Sequence, residues 1–409
     1  MRFLHTSDWH LGRSLYGKKR IAEHSQFLRW LLETVKNEKV DVLCVAGDIF
    51  DTTTPSNKAQ KLYYQFLQKI STTSCQHVII TSGNHDSPSL LEAPKELLLA
   101  LNVHVVGSVS DSLEDEIVTL YDTQATPILI VCAVPYLRDR DIRTARAGEN
   151  LEDKGLNLKQ GIEKHYSQVA DLAMAQKKHL NFDIPIIAMG HLFAAGGSTV
   201  EGDGVRDLYV GTLAHVSGDI FPECLDYVAL GHLHSAQRVG GSENKRYSGS
   251  PLPMSFSEAA KDKHVLVVDL AQKVEVVVAI TVPRFQQLIS VQGDLTEISE
   301  TLQQLIESST SAWLEIIYTG TELIGNLQQQ LTTLTKESSL EILRIVNNNI
   351  IRDILHQNNP QETLEELSVY DVFERCMVQN NIGGSQKDAL STRFNEILSD
   401  IQESDNNAN

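Results

Sequence analysis

Along the first 280 residues, short apolar runs rich in β-branched side chains alternate with stretches whose apolar positions recur every three or four residues. Runs of the first kind predict strands at Arg2–Thr6, Val40–Ala46, His77–Thr81, Pro127–Val134, Pro185–Met189, Tyr227–Leu230 and Val265–Asp269. Between them, Ile21–Lys36 gathers Ile21, His24, Phe27, Leu28, Leu31, Leu32 and Val35 on one stripe. Asn57–Ile70 does the same with Leu62, Phe66 and Ile70, so both segments predict helices that cover a sheet. Strands alternating with such helices predict an α/β layered domain over residues 1–280.

The pattern changes near Val282-Pro283. A strand at Gln287–Val291, a helix at Leu295–Glu307, a strand at Ala312–Tyr318, a helix at Ile324–Leu334 and a strand at Leu340–Val346 follow in close order. That β-α-β-α-β sequence predicts a small α+β domain over 281–350. In the tail, 351–409, the apolar positions Leu364, Leu367, Val369, Val372, Phe373 and Met377, then Leu390, Phe394, Ile397, Leu398 and Ile401, predict two amphipathic helices. They serve either as a docked pair or as a surface for a partner helix. The end, Ser404–Asn409, reads as disordered.

Composition bounds the classes of function. A chain of 409 residues with 42% hydrophobic positions holds two or three cores. No apolar run approaches a membrane span, and Met1-Arg2-Phe3-Leu4-His5 lacks the layout of a secretory signal. The five cysteines are scattered through apolar runs, which fits buried thiols better than a disulfide frame or a zinc cage. A cytoplasmic protein is expected. The net charge of −18 opposes a nucleic-acid partner at first sight. Residues 1–280, however, carry 28 basic against 34 acidic side chains, while 281–409 carry 7 against 19, so the acidity is concentrated at the back. Bound divalent cations would also supply positive charge where a phosphate sits.

Five short signatures sit at the ends of predicted strands: Asp8-Trp9-His10, Gly47-Asp48, Gly83-Asn84-His85-Asp86, Gly190-His191 and Gly231-His232-Leu233-His234. In layered α/β folds the strand ends converge on one rim, where residues remote in sequence meet. Carboxylate, imidazole and carboxamide groups together suit borderline divalent cations, and the lack of cysteine among them argues against structural zinc. The glycines before Asp48, Asn84, His191 and His232 are expected to permit tight turns that aim these residues inward.

In order and spacing these signatures resemble the calcineurin-like metallophosphoesterase superfamily. Within it, Phe3-Leu4-His5-Thr6-Ser7-Asp8-Trp9-His10-Leu11-Gly12, Ala46-Gly47-Asp48-Ile49-Phe50-Asp51 and Ser82-Gly83-Asn84-His85-Asp86-Ser87 resemble the SbcD-type nucleases, through about the first 270 residues and more weakly beyond. The resemblance implies a layered αββα sandwich with a capping domain and a helical tail. It implies one divalent cation on Asp8, His10, Asp48 and His234, and a second on Asp48, Asn84, His191 and His232, most often manganese. His85 matches the family's catalytic histidine, and Asp86 is placed to orient it. Asp51 departs from archaeal and eukaryotic relatives, which carry a functional histidine there, so that role does not carry over. The implied chemistry is two-metal hydrolysis of DNA phosphodiester bonds, with His85 protonating or stabilising the leaving 3′-oxygen. The implied partners are DNA, a coiled-coil SbcC-like ATPase bound through the tail, and a second copy of the chain within a heterotetramer. The chain itself has no Walker A pattern.

Weaker features remain open. Arg138, Arg140, Arg143 and Arg146 either face DNA or pair with the interleaved Asp139 and Asp141. Lys18-Lys19-Arg20 is a candidate backbone contact close to Asp8 and His10. Trp9, between two ligands, reads as a packing residue. The rival enzyme is a phosphatase of small monoesters, cyclic nucleotides or phosphoproteins on the same rim. The rival without catalysis is a scaffold that has lost its metals, which a missing ligand would betray.

Overall fold

The computed structural model describes residues 1–142, 151–194, 218–270 and 277–347 apart from 323 and 325, together with 373, 377, 387, 390, 391, 393 and 394. The chain divides into two units, Met1–Phe285 and Gln286–Asn409.

Two six-stranded sheets build the larger unit. The first runs edge to edge through Val277–Val282, Lys263–Asp269, Arg2–Thr6, Val42–Ala46, His77–Thr81 and Val103–Val106. Its last four strands are parallel, and the other two add antiparallel. The second runs Gln237–Arg238, Lys245–Tyr247, Tyr227–Gly231, Ile186–His191, Pro127–Ala133 and Ile117–Tyr121, with antiparallel strands only at its edges.

Side-chain alternation explains the layering. Phe3, Val42, Cys44 and Ile79 of the first sheet pack against Leu129, Val131, Ile187, Met189 and Tyr227 of the second. The opposite faces of the same strands carry Leu4, Leu43, Val45 and Ile80 on one side, under Phe27, Leu31, Tyr63 and Phe66 of the helices Ile21–Asn37 and Asn57–Ile70. On the far side Ile130, Ile186, Ala188 and Val228 lie under Ile162, Tyr166, Val169 and Ala173 of the long helix Leu151–Leu180. Helix, sheet, sheet, helix is the αββα order, and strands buried on both faces account for their continuous apolar character.

Two of the sheet edges are less buried than the centre. Val103–Val106, Ile117–Tyr121, Lys245–Tyr247 and Val277–Val282 are strands that the apolar runs did not mark. Ile117–Tyr121 and Val277–Val282 bury only one residue each, so they are specified by pairing with a neighbouring strand more than by burial. The Leu151–Leu180 helix also went unmarked, because glycine and alanine interrupt its stripe. Cys44, Cys75 and Cys132 are buried free thiols, and Cys224 is a half-buried one. Among the described residues no helix is long and apolar enough to cross a membrane.

In the smaller unit, Gln287–Gly293, Ala312–Tyr318 and Leu340–Asn347 form a parallel three-stranded sheet in that order. The helices Leu295–Glu307 and Leu327–Thr335 connect them, closing a core of Ile298, Leu302, Leu314, Ile316 and Leu331. Asp294 starts the first helix as a capping box, accepting from Glu297 N at 2.9 Å while the Glu297 side chain accepts from Asp294 N at 3.0 Å. Most of the two tail helices expected from periodicity lies outside the described residues. Those that are described are helical, and the rings of Phe373 and Phe394 stack at 3.8 Å.

Candidate metal and catalytic centre

Five loops leave the carboxyl ends of five parallel strands and meet on one rim. Three come from the first sheet, bearing Asp8 and His10 after Thr6, Asp48 after Ala46, and Asn84 and His85 after Thr81. Two come from the second, with His191 ending its strand and His232 and His234 following Gly231. His191 ties the sheets together, its Nδ1–H donating to the Ala46 carbonyl at 3.0 Å.

The loops are held under backbone strain. Asp8, His10, Asp48 and His232 have φ of 53°, 45°, 50° and 100°, a left-handed region that costs a residue with a side chain about 1–3 kcal/mol. A zipper of main-chain bonds holds them there: Asp8 N to Gly47 O and His10 N to Asp48 O at 3.0 Å, and Leu11 N to Ile49 O at 2.9 Å. Asp86 completes this frame. Its carboxylate accepts from the amides of Gly83, Phe50 and Ile49 at 2.8, 2.9 and 3.1 Å. This corrects the expectation that Asp86 orients the His85 ring, since a carboxylate saturated by three amides braces the loops instead. The ring is held by Asp51, whose carbonyl accepts from His85 Nδ1 at 2.8 Å.

The expectation about glycine also needs correction. Of Gly47, Gly83, Gly190 and Gly231, only Gly47 has positive φ, at 81°. The others are there for space: a Cβ on Gly83 would fall on the Asp48 carboxylate, and one on Gly231 on the Ala46 carbonyl.

The donors converge in two overlapping groups. Asp8, His10 and His234 form one, and Asp8, Asp48 and His191 another, each with ligand atoms within 4.8 Å of one another. Asp48 Oδ2 stands between them, 3.5 Å from His10 Nε2 and 3.4 Å from His191 Nε2. Asn84 Oδ1 lies 3.0 Å from His191 Nε2 and 3.1 Å from His232 Nδ1. His85, whose main-chain N–H donates to Asp48 Oδ1 at 2.9 Å, places its ring 4.8 Å from that of His10. The seven predicted ligands and His85 therefore share the rim.

Several observations fit divalent cations here. Both ring nitrogens of His10 are buried without a hydrogen-bond partner. His191 has committed Nδ1 as a donor, so Nε2 turns toward two oxygen acceptors, which either a proton on Nε2 or a cation between them satisfies. Burial opposes charge on both Asp48 and His191. Their mutual attraction overcomes it, holding Asp48 well below the usual carboxylate range and lifting His191 to about 9. Burial pushes Asp8 up to about 6, the mark of carboxylates crowded in a dry site.

Some functional neighbours were not legible locally. Asp51 closes a third group with His10 and His85 and pairs with Arg13 at 3.1 Å. Glu258 and Lys263, behind His234, carry no motif at all. Burial decides the readings of Arg20 and Trp9. Arg20 is 1% exposed, donating to both oxygens of Glu23 at 2.8 and 2.9 Å and to the Pro253 carbonyl at 2.6 Å, so it does not face DNA. Lys18 and Lys19 lie on a short hairpin with Ser14 and Leu15. Arg140 pairs with Asp141 at 3.5 Å, while Arg143 and Arg146 lie outside the described residues. Trp9 is buried between Phe27 and Phe66 and donates to Thr6 Oγ1 at 3.0 Å.

Residues 1–236 match the calcineurin-like phosphoesterase family, and residues 284–381 match the family described as type 5 capsule protein repressor C-terminal domain. The chain is 39% identical over 401 residues to the SbcD component of the nuclease SbcCD from Escherichia coli strain K12, covering 97% of this chain and 98% of that one. The corresponding SbcCD component of Rhodobacter capsulatus is 39% identical over 277 residues, covering 66% of this chain and 67% of its own length. That of Bacillus subtilis strain 168 is 34% identical over 272 residues, covering 66% of each. With both of its units matched and one relative aligned almost end to end, the chain belongs to the SbcD family of calcineurin-like phosphoesterases.

Proposed function

We propose that this chain is the nuclease subunit of an SbcCD-type complex, hydrolysing phosphodiester bonds at DNA ends and hairpins with an SbcC-like ATPase in repair, recombination and replication. The observation that carries the reading is the single rim on which Asp8, His10, Asn84, His191, His232 and His234 gather around Asp48, with His85 beside them. Asp8, His10, Asp48 and His234 would hold one divalent cation, and Asp48, Asn84, His191 and His232 a second, with manganese the favoured ion. Such cations would supply Lewis acidity toward the phosphate and lower the pKa of an attacking water.

The chain's own groups do the rest. The Asp51 carbonyl fixes the Nδ1–H tautomer of His85, so Nε2 is the atom that, when protonated, gives its proton to the leaving 3′-oxygen. Asp86 keeps the Asp48 and Asn84 loops in register through three amides, so its contribution is to geometry. The unit from Gln286 would act as the capping domain and the tail beyond it as the binding segment for the ATPase, in a heterotetramer containing two copies of this chain.

The test is Mn²⁺-dependent cleavage of end-labelled linear DNA by the purified chain with and without the ATPase, beside His85→Ala and a phosphomonoester. His85→Ala is expected to lower kcat by about 10²–10⁴-fold with metal binding retained. Rapid monoester hydrolysis with untouched DNA would sink the nuclease reading and favour a small-substrate phosphatase.

A further inference from the structure

Behind His234 lies a polar cluster that no motif announces. Glu258 is fully buried at the end of a short 3-10 turn, Phe256–Glu258, and its two carboxylate oxygens have different fates. Oε2 pairs with the buried Lys263 ammonium and accepts from Met254 N at 3.1 Å. Oε1 has no hydrogen-bond partner, and it faces His234 Nδ1 at 3.9 Å. Lys263 donates also to the His234 carbonyl at 2.8 Å and to Ser250 Oγ at 3.0 Å. One ammonium thus clamps both the main chain of His234 and the carboxylate that faces its ring.

A buried carboxylate oxygen left without a donor is costly, because it has given up its water and gained nothing in return. The arrangement is accounted for if the imidazole gains from it. A carboxylate facing Nδ1 at this distance favours a proton on that nitrogen through its charge, which leaves Nε2 with its lone pair and makes it a stronger donor to a cation. His10, in the same donor group, follows the pattern with Asp51 Oδ1 3.4 Å from its Nδ1. His191, in the other group, is backed instead by a neutral carbonyl, that of Ala46. The two halves of the rim therefore differ in the charge that stands behind their imidazoles.

We infer that Glu258, positioned by Lys263, is a positioning residue for His234 that strengthens one of the two cation sites, the one shared with Asp8 and His10, relative to the other. The inference rests on the two-cation reading above. Its function is to make the sites unequal: the first holds its ion tightly through imidazoles backed by carboxylates, while the second binds more weakly.

Mn²⁺ titration of the full chain, followed calorimetrically and by the electron paramagnetic resonance of free Mn²⁺, tests it. Wild type is expected to show two binding events. Glu258→Gln should weaken the tighter event by about 10- to 100-fold and leave the other unchanged. Because Glu258→Gln leaves Lys263 without its counter-charge and can fail to fold, Glu258→Gln combined with Lys263→Met is measured beside it. The double variant, with no buried charge left unpaired, should still bind the tight ion weakly. Wild-type affinity in either variant would overturn the inference, showing that Glu258 serves only to balance Lys263. A wild-type chain that binds no Mn²⁺ would overturn the two-cation reading and this inference together.

Discussion

The rim of the larger unit and the core of the smaller one are built on opposite principles. At the rim, four donor residues hold left-handed backbone, buried imidazole nitrogens lack partners, and carboxylates crowd within a few ångströms. In the smaller unit a capping box starts the first helix, parallel strands pair in register with one irregularity, and the core is aliphatic apart from Tyr318. The first arrangement stores strain where ions and phosphate must be held; the second minimises free energy. Strain is therefore concentrated at the rim, while the core of the smaller unit is free of it.

That contrast is open to attack. The largest effect is expected from Leu314→Ala, which empties a fully buried position of the smaller unit and should cost about 2–5 kcal/mol by denaturant unfolding. Hydrolysis of a small phosphodiester by the rim should persist in that variant at low temperature. Loss of rim activity in parallel with the smaller unit's stability would contradict the division of labour. Gly83→Ala should do the reverse. Its Cβ would occupy the place of the Asp48 carboxylate, so a destabilisation of about 1–3 kcal/mol is expected together with loss of metal-dependent activity. An active Gly83→Ala would mean that the rim relaxes more freely than its strain implies.

A pH experiment sharpens the same comparison. His5 lies under the rim with Nε2–H donating to the Leu230 carbonyl at 3.1 Å and Nδ1 accepting from the Tyr227 hydroxyl at 3.2 Å. Burial pushes its pKa down to about 3, so below pH 6.5 the unfolded chain binds a proton that the folded chain refuses. Its stabilising contribution is complete above pH 6.5 and is lost as the pH falls toward 3. The destabilisation caused by His5→Asn at pH 7.5 should shrink by about 1.4 kcal/mol at pH 5.5. A penalty independent of pH would show that the ring accepts its proton in the fold. The smallest effect is expected from Asp294→Ala, which removes the cap of the first helix in the smaller unit at a cost of about 0.5–2 kcal/mol, with Mn²⁺ binding unchanged.

The chain's own pattern was enough for the central strands, the two helices over the first sheet and the strand-end placement of the five signatures that carry the rim residues, whereas the roles of those residues come from the family resemblance. Central strands are buried on both faces, and that demand writes itself into consecutive apolar residues such as Val42–Ala46. The donors were legible because each follows a strand directly, so Asp8, Asp48, Asn84, His191 and His232 stand at strand ends already marked by hydrophobicity.

Tertiary structure alone decided the rest. Half-exposed edge strands such as Ile117–Tyr121 obey no strict pattern, because pairing with a neighbour rather than burial specifies them. That Asp86 braces loops, that Asp51 offers a carbonyl to His85, that Arg20 reaches the Pro253 carbonyl, and that Glu258 stands behind His234 all depend on partners beyond the local motif. Local sequence carries periodicity and turn chemistry. Where a carboxylate finds its donors is set only when distant strands are brought side by side, since charge and hydrogen bonding act through space and not along the chain.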